Sequence, residues 1–231
     1  MKYFNNLNLM SKSWIVSFLI AFIGLWYPKL GLLVIIIMFS LIVTSFFKGR
    51  FWCGNLCPHG SLFDFIFAPM SKKRRTPNWL SSDLFAYIFF VFFMFNFSRR
   101  LLRAINYWGQ LEFIDKLGYV FVITYLVVFV LGFVLALIFH HRSWCHICPM
   151  GTMQKLTFKI GEKTKISTRT NNVLHISSID KCLKCGICSN VCPMHINVFK
   201  EFSEDNKLQN INCIKCGNCV KKCPINILLI Y

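Results

Sequence analysis

Cys182-Leu-Lys-Cys185-Gly-Ile-Cys188-Ser-Asn-Val-Cys192-Pro193 and Cys213-Ile-Lys-Cys216-Gly-Asn-Cys219-Val-Lys-Lys-Cys223-Pro224 are two copies of one pattern, Cys-x2-Cys-x2-Cys-x3-Cys-Pro. Thiolates at this spacing wrap a cubane iron–sulfur cluster, and the fourth cysteine of each run reaches across to the other cluster. The expected ligand sets are therefore Cys182, Cys185, Cys188 and Cys223 for one [4Fe–4S] cluster, and Cys192, Cys213, Cys216 and Cys219 for the second.

This is the spacing of bacterial two-cluster ferredoxins, so residues 175–231 are expected to form a small α+β domain of that type. Within it, Cys192-Pro-Met-His-Ile-Asn-Val and Cys223-Pro-Ile-Asn-Ile-Leu-Leu each read as a cluster loop running into a short helix or strand. The even count of 12 cysteines invites a disulfide framework, but the chain is not a short secreted one. Metal-bound thiolates in a reducing compartment fit the spacing better.

The rest of the chain is oily. Of 231 residues, 55% are hydrophobic and 15% charged, too apolar for an ordinary soluble globule, where about a quarter of residues carry charge. The net charge of +17 would point to nucleic acid in a soluble protein. Here the basic runs, such as Lys72-Lys73-Arg74-Arg75, flank apolar segments, so anionic lipid is the expected partner and nucleic acid is not.

Four apolar stretches precede the cysteine runs and predict four transmembrane helices. Leu117 to Phe139 is uncharged and long enough to cross a bilayer. So is Leu30 to Phe47. The first stretch must start near Leu9, with Lys12 snorkelling. The third, Trp79 to Phe97, contains Asp83 and Asn96, and an interfacial or buried helix is its alternative. Pro28 in Tyr27-Pro28-Lys29 stops the first helix and sets a tight hairpin. No small-residue cleavage site follows the first stretch, which reads as an uncleaved anchor.

Lys and Arg counts near the helix ends favour a cytoplasmic N-terminus in a multi-pass protein of the cytoplasmic membrane. Lys48, Arg50 and Lys72 to Arg75 lie on the inner side; Lys29, Arg99, Arg100, Arg103 and Lys116 lie on the outer side and weaken the bias. Four crossings return the cluster domain to the cytoplasm. The expected domains are a membrane part at 1–154, a basic connector at 155–174 (Lys155, Lys159, Lys163, Lys165 and Arg169) resting on lipid headgroups, and the cluster domain at 175–231.

The membrane part carries a second duplication. Arg50-Phe-Trp-Cys53-Gly-Asn-Leu-Cys57-Pro58-His-Gly60 matches Arg142-Ser-Trp-Cys145-His-Ile-Cys148-Pro149-Met-Gly151. Each loop, 50–60 and 142–151, follows a hairpin of two apolar helices, so the fold class is an all-α bundle of two helix-hairpin repeats. Both loops should emerge on one side. In Cys-Pro, proline suits the first helical position and places the cysteine at the cap, where the helix dipole favours thiolate. Cys53, Cys57, Cys145 and Cys148 could form one four-thiolate site for an iron–sulfur cluster or zinc, a redox-active thiol pair, or apolar packing. The spacing differs, x3 in the first copy and x2 in the second.

On these residues the chain resembles the NapH-type membrane ferredoxins, and shares their theme with the C-terminal part of NosR and with the assembly factor CcoG. The loop Cys53-x3-Cys57-Pro58 matches that family directly, and Cys145-x2-Cys148-Pro149 matches it less one residue. The resemblance implies an electron-transfer subunit of a quinol dehydrogenase system, passing electrons between a membrane quinone pool and partner redox proteins. A CcoG-type copper-reducing assembly factor is the alternative, with the four membrane-face thiolates binding copper; a membrane anchor for a soluble oxidoreductase is another.

Other residues have plainer readings. His140 and His141 read as the solvated end of a helix rather than haem ligands. His59 and His146 read as bonded to nearby backbone, and His195 as a modulator of the cluster beside it. Arg50 and Arg142 either balance thiolate charge or anchor helix ends. The phenylalanines of the third stretch read as lipid-facing or packed, with a quinone pocket as the sharper alternative. No glycine-rich nucleotide-binding motif occurs.

Overall fold

A computed structural model of the chain describes residues 6–165, 167, 171–203 and 205–230. Arg169, assigned to the connector from sequence, lies outside the described residues.

Five longer helices organise the N-terminal part: α1 (Asn6–Phe22), α2 (Leu33–Lys48), α3 (Asp83–Ile105), α4 (Phe113–Ile138) and α5 (Pro149–Lys163). Among the described residues three helical segments are long and apolar enough to cross a membrane: Pro28–Lys48, Asp83–Ile105 and Phe113–Ile138. At 26 residues, α4 is about 39 Å long, more than the roughly 30 Å hydrocarbon layer. The helix around the first apolar stretch is shorter, so the described residues give three such spans where the sequence predicted four.

The third apolar stretch forms a helix, but shifted. It starts at Asp83 and runs to Ile105, past the expected end at Phe97. Ser82 caps it by accepting a hydrogen bond from the Phe85 amide at 3.1 Å, and Asp83 in the first turn and Arg103 in the last suit the helix dipole. Arg99, Arg100 and Arg103 therefore belong to the helix, not to a loop. The turn between α1 and α2 is two short 3₁₀ segments, with Pro28 opening the second.

The expected connector is the clearest departure. The boundary at 154/155 falls inside α5, which continues to Lys163 and packs along α2 and α3. Lys155 is only 3% exposed and donates to Asp83 Oδ1 at 2.7 Å. A buried ammonium needs such a carboxylate, so Lys155 ties α5 to the start of α3 and does not meet lipid headgroups.

The cluster-bearing part is clipped shut by a two-stranded antiparallel sheet, β1 (Leu174–Ile176) with β2 (Leu228–Ile230). Its two halves repeat one backbone. Lys184 and Lys215, Gly186 and Gly217, and His195 and Asn226 occupy equivalent places in the two cysteine runs, and all have positive φ. After the Cys-Pro turn the halves diverge: the first enters a 3₁₀ turn (Val198–Lys200), the second enters β2.

A candidate iron–sulfur site at the membrane face

The cysteines of the C-terminal part fall into two groups. Cys182, Cys185, Cys188 and Cys223 line one small cavity; Cys192, Cys213, Cys216 and Cys219 line another. The fourth cysteine of each run thus lies with the first three of the other. Burial pushes the Cys216 thiol up to about 12, and the neighbouring cysteines push it the same way.

The second group sits directly on the membrane part. Gly54, in the first loop, approaches Ile214 so closely that a Cβ there would lie 2.1 Å from the Ile214 carbonyl oxygen. Asn55 Nδ2 donates to the Lys215 carbonyl at 3.2 Å, and Lys215 Nζ donates to the Lys48 carbonyl at 2.7 Å. Arg75 and Thr76, which follow the exposed Lys72–Arg74 run, reach His195.

The two membrane-part loops meet as expected, and each arginine crosses to the other loop. Arg50 Nη2 donates to the Cys145 carbonyl at 2.8 Å; Arg142 Nη1 donates to the Cys53 carbonyl at 2.9 Å. The glycine after each Cys-Pro leaves room for the crossing guanidinium: a Cβ on Gly60 would lie 2.9 Å from Arg142, and one on Gly151 would lie 3.0 Å from Arg50. Both cysteines before proline occupy helix N-cap positions, and Cys57 Sγ accepts from the Gly60 amide at 3.4 Å. Both arginines are buried, so they act on the site rather than anchoring helix ends at headgroups.

Cys53, Cys57, Cys145 and Cys148 line one cavity of about 100 Å³. Burial raises the Cys57 and Cys145 thiols and takes Cys148 to about 12, with neighbouring sulfurs adding to the effect. Against this, Arg142 Nη1 lies 3.6 Å from Cys145 Sγ and pulls that thiol down. Separately, Gln154 Nε2 donates to Cys53 Sγ at 3.2 Å. The same cavity is lined by residues with buried nitrogens that lack a hydrogen-bond partner among the described residues: Arg50 Nε, Trp52 Nε1, Trp144 Nε1 and His59 Nε2. Buried polar groups are rarely left unpaired, and three of these four are obligate donors. They fit an anionic group with acceptor atoms between the four sulfurs, as the sulfides and thiolates of an iron–sulfur cluster provide. Among the described residues no three His, Cys, Asp or Glu side chains group so as to hold a single metal ion. A cubane binds each thiolate to a different iron, so its ligands stand farther apart than those of one zinc ion.

Two residues with a part in this site escaped the sequence reading. Asp64 receives Arg142 in a bidentate pair, at 2.7 Å to Nε and 2.6 Å to Nη2. Burial pushes its carboxyl up, but Arg142 outweighs that and holds it below the usual carboxylate range. Gln154 is the other. Extending the loop alignment by four residues sets Asp64 opposite Lys155 and Gln154 opposite Phe63, unlike pairs that give no signal in the sequence. The histidines also differ from expectation. The His140 and His141 rings lie 4.0 Å apart between centroids, tilted by 34°, and His195 lies 5.0 Å from His140, so these are half-buried interface groups and not a solvated helix end. His59 has the backbone partner expected of it, at Tyr125, while the Nε2 atoms of His59 and His146 have no hydrogen-bond partner among the described residues.

The cavity extends from the sulfurs into the apolar layer. Met38 and Leu41 of α2, Phe93 and Phe97 of α3, and Phe121 and Tyr125 of α4 form its walls. Phe92 and Phe95, on the same helix, are more than 60% exposed. The phenylalanines of α3 thus divide between a lipid-type face and a cavity wall.

Residues 30–77 and 121–167 each match the family described as a 4Fe-4S binding domain, and residues 181–228 match the 4Fe-4S dicluster domain. The first two matches cover the second helix of each hairpin and the cysteine loop after it. Two uncharacterized proteins of Methanocaldococcus jannaschii are 26% and 25% identical over 74% and 71% of this chain. YccM of Escherichia coli K12, whose name assigns it provisionally to electron transport, is 24% identical over 75% of the chain. The chain spans 68%, 59% and 49% of these relatives' lengths. No solved structure matches. The chain therefore carries 4Fe-4S binding domains in both its membrane-type helical part and its C-terminal part.

Proposed function

We propose that this protein is an integral membrane electron carrier of the NapH type. It would pass electrons between two ferredoxin clusters, held by Cys182, Cys185, Cys188 and Cys223 and by Cys192, Cys213, Cys216 and Cys219, and a quinone or a partner redox subunit in the membrane. A further cluster held by Cys53, Cys57, Cys145 and Cys148 would link the two. Bound clusters would supply the one-electron chemistry.

The observation that carries this reading is the docking of the Cys213–Cys219 loop on the first membrane-part loop, with an apolar cavity running on from there between α2, α3 and α4. The protein's own residues exclude water, fix the separation of the cysteine groups and balance their charge through Arg50 and Arg142. The cavity, apolar with a few polar groups at its sulfur end, has the character of a site for a lipophilic carrier. We place the first helix, α1, as a fourth span, with both termini on the cytoplasmic side.

Anaerobic iron and acid-labile sulfide analysis of the purified protein tests the reading. About twelve iron per chain are expected, falling to about eight when Cys53 and Cys145 are both changed to serine. About eight in the unaltered protein, unchanged by those substitutions, would remove the membrane-face cluster.

A further inference from the structure

The two cysteine groups of the C-terminal part differ in exposure. The Cys192/Cys213/Cys216/Cys219 group is covered by the membrane-part loops. The other group is open to solvent: of the twelve cysteines, Cys185 alone is exposed. Leu183, Ile187 and Ile225 line the same cavity as Cys182, Cys185, Cys188 and Cys223. Leu183 is 65% exposed, and both isoleucines are exposed as well. Lys181, Lys184 and Lys222, each next in sequence to a residue lining that cavity, are all exposed. None of these three makes an ion pair among the described residues. Asp180 is the sole carboxylate within residues 177–190 and 217–226; the cavity's third segment, between Phe199 and Phe202, adds Lys200 and Glu201, and Glu201 accepts a hydrogen bond from Asn210.

We propose that this apolar patch with its lysine rim is the docking face for a small, acidic, soluble one-electron carrier whose redox centre lies near its own surface. The inference rests on the electron-transfer reading above and names its aqueous partner. Charge complementarity selects the occupant: the rim is basic, and the apolar centre is small. Transient electron-transfer encounters bury little surface and rely on long-range charge to find the right orientation. One electron crosses per encounter, so the carrier loses one as the chain gains one, or the reverse. No bond is made or broken.

The test uses the full chain in nanodiscs under anaerobic conditions, mixed by stopped flow with a reduced acidic [2Fe–2S] ferredoxin. The second-order rate constant should fall at least about ten-fold between low and high salt. K181E/K222E should be at least about ten-fold slower at low salt and converge with the unaltered protein at high salt. Leu183→Asn should slow the reaction several-fold at every salt concentration. Photoreduced 5-deazariboflavin, which is uncharged, should reduce all variants equally, which shows that the centres are intact. Rates indifferent to salt and to charge reversal would overturn the proposal. So would charge reversal that changes only the oligomeric state, since the face would then join copies of this chain. If deazaflavin-reduced protein cannot pass electrons to a short-chain quinone while the salt and charge effects hold, the quinone reading fails and the docking face stands.

Discussion

The two cysteine loops of the membrane part share a sequence pattern but have divided the work between them. In the second, Arg142 is neutralised inside the membrane part by the bidentate Asp64 pair. In the first, Arg50 has no ion pair among the described residues, and its Nη1 instead points to the Asn212 carbonyl of the C-terminal part at 3.4 Å. The position equivalent to Asp64 is Lys155, which takes its carboxylate from Asp83. One loop is thus closed on itself electrostatically, and the other is turned toward the cluster domain. A duplicated motif gives two equivalent sulfur donors per loop, but the residues just beyond it decide what each loop is attached to.

Removing Asp64 should have the largest effect. Asp64→Asn leaves Arg142 buried without its counter-charge, which costs about 3–5 kcal/mol; thermal unfolding in detergent would measure it. Arg50→Gln removes a charge that has no such partner and should cost less. Equal losses would erase the contrast between the loops.

Gly54→Val attacks the first loop's attachment. The added side chain would push against the Ile214 backbone, an overpacking cost of about 1–3 kcal/mol. The C-terminal part should become sensitive to limited proteolysis, with iron at the membrane-face cysteines retained. Retained protease resistance would show that Gly54 is not the point of docking. A smaller loss is expected for Gln154→Leu, which deletes the donor to Cys53 Sγ at a cost of about 0.5–1.5 kcal/mol and should lower the potential of a centre bound there, read by electron paramagnetic resonance titration. An unchanged potential would mean that the residue only packs.

Acid sensitivity should be shared by the two loops and be larger at the second, since in the first burial pushes only His59 down, to about 4. Burial pushes His140 and His146 down to about 3, helped for His140 by its neighbour His141 and for His146 by Arg50. An unfolded imidazole titrates near 6.5. Between these values the unfolded chain binds protons that the folded chain refuses. The stability contribution is therefore present above about pH 6.5 and lost as pH falls toward 3. H140Q/H146Q should flatten the drop in unfolding midpoint between pH 7.5 and 5.5; a drop of the same size in the variant would assign it elsewhere.

Much of this was legible in the linear chain. Cys-x2-Cys-x2-Cys-x3-Cys-Pro is a local code, because loop geometry within a dozen residues sets which sulfurs can converge. Cys57 and Cys148 at helix caps follow equally from the proline after each. The connector was misread because basic composition describes a solvated segment and a buried ion pair alike; Lys155 is buried only because Asp83, far away in sequence, is there to receive it. Asp64 and the histidine cluster were missed for the same reason.

The sequence by itself determined that eight cysteines are set in two interleaved groups, that two cysteine loops each follow an apolar hairpin, and that apolar helices long enough for a bilayer surround them. Those features depend on spacing and on hydropathy, which are properties of neighbouring residues. Only the tertiary structure decided that the arginines cross between loops, that the Cys213–Cys219 loop rests on Gly54, and that an apolar cavity joins the four membrane-face sulfurs to α2, α3 and α4. Each of these joins residues from different repeats or from opposite ends of the chain, and the physical cause is burial: a guanidinium or a backbone carbonyl removed from water takes whatever partner the packing brings to it.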